Sequence, residues 1–200
     1  DAKLNGTKLN RANLTNANLK RADLAGAILI KANMRGVNLN GSRLTQANLS
    51  KVDLSKVNLT CANLSEANLS EANLREINLS GANLDDADLS RVDLSKANLF
   101  GSSLRRTSLI EANLSGANLS EVNLRGAILT KANLERSNLY KANLASESSV
   151  ISYLNKANLN YANLSDADLF EADLDSAILT NAFFCNTRMP NGVINNISCY

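Results

Sequence analysis

Side chains that could do chemistry are few in this sequence. Its 200 residues include no histidine and three cysteines, Cys61, Cys185 and Cys199. Without histidine there is no Ser-His-Asp or Cys-His nucleophile and no imidazole ligand for a metal ion. The cysteines also lack the short paired spacings of a zinc site. We therefore expect neither a cofactor nor a bound metal.

Carboxylates at regular spacing are the remaining candidates for acid-base chemistry. Six aspartates occupy the same position of a short repeat, where asparagine stands in most other copies, and no partner group accompanies them. We interpret them as structural and expect no enzymatic activity and no small-molecule substrate. They are Asp23, Asp53, Asp88, Asp93, Asp168 and Asp173.

The elements that must position these side chains are copies of a five-residue repeat. Leucine occupies 34 of the 37 positions spaced by five from 4 to 184, and no leucine lies elsewhere. The residue two before it is small in every copy except at Ile77 and Glu147, 24 times alanine, and the residue between is Asn or Asp in 26 copies. Ala62-Asn63-Leu64-Ser65-Glu66 is a typical unit. We number its positions one to five, with leucine third.

A five-residue period fits neither a helix nor a flat strand. On a helix the leucines would spread around the whole circumference, and on a strand they would alternate between faces. A turn at positions four and five returns every leucine to one side, which predicts a coil around a leucine and alanine core. Eight of the nine glycines lie at position five, where a tight turn tolerates or requires positive φ.

The pattern resembles the pentapeptide-repeat family over residues 2–186. That resemblance implies an all-β fold, a right-handed quadrilateral β-helix of about nine coils in which residues 20 apart stack. We expect residues 1–186 to form this solenoid and residues 187–200 to cap its end. The segment 26–33 recurs in similar form at 126–133. A tandem duplication or a fusion, with its junction near residue 100, is therefore one interpretation, and a variant coil at 101–108 is the other.

The repeat is broken at residues 145–153. Glu147 and Ser149 fall on inward positions there, so we predict an outward loop, because an unpaired buried carboxylate is costly. Stacking by 20 would place Val150 over Phe170 and Tyr140 beside the corner holding Tyr161. We predict a partner-binding apolar patch, although scattered surface residues are the simpler interpretation. The patch residues are Ile110, Tyr140, Val150, Ile151, Tyr153, Tyr161 and Phe170.

The two ends of the chain differ. Pro190-Asn191-Gly192 predicts a turn that folds the tail over the last coil. Cys185 and Cys199 could close this cap as a disulfide, as at the cysteine-bearing ends of similar cyanobacterial and plant thylakoid-lumen proteins, or remain two thiols in a reducing compartment. The repeat begins at Ala2 without a cap, so either residues precede it or two copies associate end to end. The cysteines favour a lumen or periplasm, and the absence of a signal sequence favours the cytoplasm.

Two functions fit the sequence: the rigid rod with a constant core and variable surface favours the first, and the family resemblance implies the second. We expect a rigid scaffold for an unknown protein partner. The alternative is a DNA mimic that inhibits DNA gyrase, like the family's quinolone-resistance proteins. Mimicry needs a strongly negative surface, yet 21 Lys and Arg balance 19 Asp and Glu. Nucleic-acid binding is disfavoured because Glu66, Glu71 and Glu76 interrupt the basic residues. No run of about 18 apolar residues could span a membrane.

Overall fold

The chain winds into a coil of four short sides. The computed structural model describes residues 2–147 and 149–199. Second-position residues 20 apart pair as single parallel bridges, from Lys3 with Asp23 to Asn123 with Asn143. Four repeats therefore make one turn, and the turns stack like rungs of a parallel sheet. Ser103 and Ser108 keep this pairing, so the coil passes through residues 101–108 without a break.

The four sides form four faces along the rod, which we label by their second-position residues. Face A starts at Lys3, face B at Lys8, face C at Asn13 and face D at Asn18. The corner that follows each face is called edge AB, BC, CD or DA and consists of fifth-position residues. Edge AB runs through Gly6, Gly26, Gln46, Glu66, Asp86, Arg106, Gly126 and Glu171.

First- and third-position side chains fill the interior. From Ala22 to Ala172 the first- and third-position leucines and alanines are almost completely buried, as at Leu64 and Ala127. Leu4, Leu9 and Leu14 in the first coil and Leu174 in the last are only half-buried, because each has a neighbouring coil on one side only. Burying a leucine contributes about 1.5–3 kcal/mol, so one continuous core stabilises the rod along its length.

The corners require a left-handed backbone. Among the fifth-position residues from 6 to 186, φ lies between 53° and 68° at eight glycines and at 27 other residues. Such a conformation costs a non-glycine residue about 1–2 kcal/mol. Hydrogen bonds between coils offset that cost: the Lys96 N–H, for example, donates to the Ser115 carbonyl at 3.0 Å. Ser146 and Ile151 are the two positions of this set that do not have a positive φ.

Second-position amides bond both along and across the coils. The Asn118 Oδ1 accepts the N–H of Ser120 at 3.2 Å and its hydroxyl at 2.7 Å. The Asn118 Nδ2 donates to Asn98 Oδ1 in the preceding coil at 3.1 Å. Asn138 and Asn163 form a similar pair. These bonds satisfy the asparagines and explain why the residue recurs at this position.

A small hairpin closes the C-terminal end. Strand β1 (Thr187–Arg188) pairs antiparallel with β2 (Ile194–Asn195) around a turn containing Gly192. A disulfide joins Cys185 to Cys199, whose Cα atoms are 4.8 Å apart. No helix among the described residues is long and apolar enough to cross a membrane.

Candidate functional site

The spacing of the coils changes once. Ile128 pairs with Tyr153 and Asn143 with Asp168, which are 25 residues apart, and from Tyr153 with Asp173 onward the spacing is 20 again. One repeat, of which the structure describes residues 147 and 149–151, is therefore excluded from the coil. We call residues 146–151 the edge loop, because it leaves the rod at edge AB. The predicted outward loop is present, and it amounts to a five-residue insertion.

Ser152 explains how the coil closes around this insertion. It takes the inward first position that Glu147 would otherwise occupy, and it is completely buried. Its hydroxyl accepts the N–H of Gly126 at 2.8 Å and donates to the carbonyl of Ala145 at 3.1 Å. The Ser152 hydroxyl thus has a donor and an acceptor inside the coil, where the Glu147 carboxylate would have been buried without a hydrogen-bond partner.

The edge loop is held against the rod by ion pairs. The Glu147 carboxylate accepts hydrogen bonds from Nε of Arg105 at 3.1 Å, from Nη2 of the same guanidinium, and from Arg106 at 3.4 Å. Its side chain is only 16% exposed, so these bonds are shielded from solvent. Glu147 and Val150 also exchange backbone hydrogen bonds at 2.8 Å in both directions. The loop is thus closed on itself and anchored at its first residues.

A further charge network supports the anchor. Arg106 binds Asp86 through Nη2 at 2.7 Å while it also contacts Glu147. The hydrogen bond from Arg106 lowers the pKa of Asp86. On the other side, the Ser146 hydroxyl donates to the carbonyl of Glu171 at 2.7 Å. The base of the loop is therefore tied to the coils on both sides of it.

The returning half of the loop is apolar, whereas Ser149 in its turn is polar and exposed. Val150 and Ile151 are each 42% exposed, and Tyr153, on the adjoining face B, is 38% exposed. Val150 packs where Gly126 has no side chain: a Cβ at Gly126 would lie 3.0 Å from Val150 Cγ1. Ile128 pairs directly with Tyr153 and extends the apolar surface along face B. The sequence-based patch did not include Ile128.

The structure corrects the stacking predicted for three patch residues. Phe170 lies on face A under Ala145 instead of under Val150, because the insertion shifts the spacing to 25. Its ring contacts the Arg188 guanidinium, 3.9 Å from the ring centre. Tyr140 lies on face D and Tyr161 on edge CD, so neither reaches the loop. Ile110 lies in the turn between face B and Glu111 on edge BC, one coil before Ile128, so it is at the other side of face B from the loop.

Charge is distributed unevenly along the rod. Residues 2–60 contain ten Lys and Arg but two Asp, whereas residues 161–180 contain five Asp and Glu and no basic residue. In the middle of edge BC the signs alternate, with Arg91 and Lys131 both paired to Glu111 at 3.2 and 3.3 Å. At the N-terminal end of that edge the basic row is uninterrupted and consists of Arg11, Lys31 and Lys51. Beyond Lys51 the row is interrupted, because Glu71 follows on the same edge and pairs with Lys51 at 3.6 Å.

Comparison with known families identifies the repeat. The model described as pentapeptide repeats matches eight copies over residues 1–36, 38–75, 62–101, 87–126, 117–145 and 152–190. The chain belongs to the pentapeptide-repeat family. The match is interrupted at residues 146–151, which are the residues of the edge loop. The repeats on both sides fit the family pattern, and the loop does not.

Solved structures agree with this assignment. HetL, a pentapeptide repeat protein involved in heterocyst differentiation regulation in the cyanobacterium Nostoc sp. strain PCC 7120, is 33% identical over 96% of this chain and 94% of its own, with a TM-score of 0.50. A trypsin-treated variant of QnrB1, a plasmid-mediated fluoroquinolone resistance protein, is 17% identical over 87% and 84%, with a TM-score of 0.54. A pentapeptide repeat protein of the Arabidopsis thaliana thylakoid lumen is 25% identical over 63% and 70%, with a TM-score of 0.40.

These comparisons assign the fold of the chain and its family, but not its binding partner. The fold of this chain is the right-handed quadrilateral β-helix of the pentapeptide-repeat proteins. No curated protein is significantly similar to the chain in sequence. The coarse conclusion is a pentapeptide-repeat scaffold, and the partner has to be inferred from the surface.

Proposed function

We propose that this protein is a non-enzymatic interaction scaffold and that the edge loop is its binding site for a protein partner. The observation that carries the proposal is the excluded repeat. The coil closes through Ser152 without using residues 147–151, so the fold has no need of the loop. The loop is nevertheless fixed by Arg105 and Arg106 and exposes Val150 and Ile151.

The chemistry of the surface supports a protein partner over a small ligand. Leucines and alanines fill the axis, so the described part of the rod offers no internal cavity lined by polar groups. Apolar side chains on an ordered loop, surrounded by arginines, match the composition of protein interfaces. Because the loop is anchored in the free protein, binding does not have to order it, which lowers the entropic cost of association.

A second apolar surface lies on the cap and serves as a comparison. A groove of about 470 Å³ is lined by Met189, Pro190, Val193 and Ile194, among others. Ile197 beside it is 78% exposed. Pro190 of this groove bonds to Glu171 of edge AB, whereas the Ile197 side of the cap is joined to Phe184 of face D through the Ser198 N–H. A substitution at Ile197 therefore tests whether any exposed apolar residue is sufficient.

The deciding experiment removes the loop without disturbing the coil. A variant lacking residues 147–151 joins Ser146 directly to Ser152 and restores uninterrupted 20-residue stacking. We expect it to keep the circular dichroism spectrum and the thermal stability of the intact chain but to lose partner capture from a lysate of the source organism. The control variant Ile197→Ser should capture the partner normally. Capture that survives loop removal, or that is lost equally in the control, would refute the proposal.

DNA mimicry is the weaker alternative because of charge. A duplex mimic needs a negative surface along its length, and residues 2–60 carry ten basic residues and two acidic ones. A gyrase supercoiling assay distinguishes the two functions. We expect no inhibition at micromolar protein, and inhibition at that concentration would favour the mimic.

A further inference from the structure

We propose that the occupant of the edge loop is a second copy of this chain, bound side by side and antiparallel along edge AB. This inference rests on the proposed function of the loop and names its partner. A two-fold axis perpendicular to the rod at Asp86 makes edge AB face itself, which is the closed symmetry most common among dimers. The first coil then faces the ninth, the second the eighth, and the fourth the sixth.

Charges on the facing coils are complementary. In the first coil, Lys8 lies on face B beside edge AB, and it meets the ninth coil of the partner copy, which presents Glu171 and Asp173 at the same height. In the fourth coil, Glu66 meets the sixth, which presents Arg106. Each contact occurs twice because the axis is two-fold. At the axis, Asp86 is already paired with Arg106 of its own chain at 2.7 Å.

The shape and the apolar side chains of the second and eighth coils fit this same antiparallel alignment of the two copies. The eighth coil carries the protruding edge loop and Tyr153, and it faces the second coil. There, edge AB has no side chain, because it consists of Gly26, and a Cβ built on that glycine would meet no atom within 4 Å. Ile28 lies beside it on face B, at the height where the apolar side chains of the loop and Tyr153 arrive. The loop of each copy thus finds an open, apolar seat on the other.

The test measures self-association and uses two variants from one coil. Glu66 and Glu76 are in the fourth coil, on edge AB and on the diagonally opposite edge CD, so Glu66→Lys and Glu76→Lys make the same charge change at different places. Sedimentation velocity over a concentration series at about 0.02 M salt, where screening is weak, should show a monomer-dimer equilibrium. We expect Glu66→Lys to weaken the dimer at least about tenfold and Glu76→Lys to change it less than about twofold.

Exchanging the charges of one predicted ion pair tests whether a restored contact restores the dimer. Lys8→Asp and Asp173→Lys should each weaken the dimer, and the double variant should restore it. A chain that is monomeric at all concentrations, a dimer equally sensitive to both glutamate variants, or an open-ended polymer formed end to end would overturn the proposal. If the chain is monomeric but capture of another protein still requires the loop, the proposed function stands and only the second copy is refuted. If association persists without the loop, the second copy is refuted as the occupant of the loop, and the capture experiment decides the proposed function separately.

Discussion

The left-handed corners make the fold sensitive to one type of substitution. Lys96 lies at edge CD with φ of 58°, its side chain is exposed, and its N–H donates to the Ser115 carbonyl. A β-branched residue is strongly disfavoured at such a φ, whereas glycine adopts it freely. Lys96→Val should therefore destabilise the protein, although the side chain that it replaces lies outside the core.

The magnitude follows from the backbone. A left-handed conformation costs about 1–2 kcal/mol for an ordinary residue, and crowding at Cβ should add about as much again when lysine is replaced by valine. For a chain of this size, 1–2 kcal/mol corresponds to a fall in Tm of roughly 2–8 °C. Lys96→Gly relieves the strain but gains freedom in the unfolded state, so the two effects nearly cancel and Tm should change by less than about 2 °C.

Thermal unfolding followed by circular dichroism is the assay, and Ser115→Val is the matched control. Ser115 occupies position four of the next coil, where φ is not positive and where β-branched residues such as Ile110 and Thr130 occur. We expect wild type, Lys96→Gly and Ser115→Val to unfold at similar Tm, with Lys96→Val clearly lower. Equal Tm for the two valine variants would refute the argument that corner φ controls stability.

Three further predictions concern the amides, the cap and the charge network. Asn118→Ala loses three hydrogen bonds and should lower the free energy of unfolding in urea by about 2 kcal/mol; no change would mean that the asparagine ladder does not contribute to stability. Reducing the Cys185–Cys199 disulfide should lower the free energy of unfolding by about 3 kcal/mol. A thiol titration of the native protein should find one free thiol, that of Cys61, and three free thiols would contradict the disulfide-closed cap. Arg106 lowers the pKa of Asp86 in the folded state, so the Asp86 carboxylate stabilises the fold above its unfolded pKa, and this stabilisation is lost as pH falls. In Asp86→Asn the free energy of unfolding should therefore fall less steeply as the solution is acidified. An unchanged pH dependence would exclude this contribution.

The repeat alone predicted most of the architecture. Leucine at every fifth position requires a coil, and the family resemblance supplied four sides and about nine turns, which the 20-residue bridges confirm. The break at Glu147 also predicted the loop, because a carboxylate cannot occupy an inward position unpaired. These inferences depend on local pattern, which a regular solenoid repeats in every coil.

The binding patch was harder to predict because it depends on register across the break. Stacking by 20 continued through residues 145–153 in the sequence-based interpretation, so Phe170, Tyr140 and Tyr161 were assigned the wrong neighbours. One signal could have shown the insertion. Ile151 is the β-branched residue among the fifth positions, and a β-branched residue is strongly disfavoured at the positive φ that the corner requires.

The contacts of Glu147 lay beyond any pattern in the sequence. Its partners Arg105 and Arg106 are about 40 residues away, and nothing in their spacing distinguishes them from other corner residues. Ile128 was missed for the same reason, since only the shifted register places it against Tyr153.

Sedimentation velocity of the intact chain and of the variant lacking residues 147–151, at equal concentration and low salt, separates a role of the edge loop in binding from a role in folding. One experiment reports both the elongated shape of the rod and its mass. We expect the intact chain to dimerise and the shortened chain to sediment as a folded, elongated monomer. A shortened chain that still dimerises, or that loses its rod shape, would contradict the conclusion that the edge loop serves binding and not the fold.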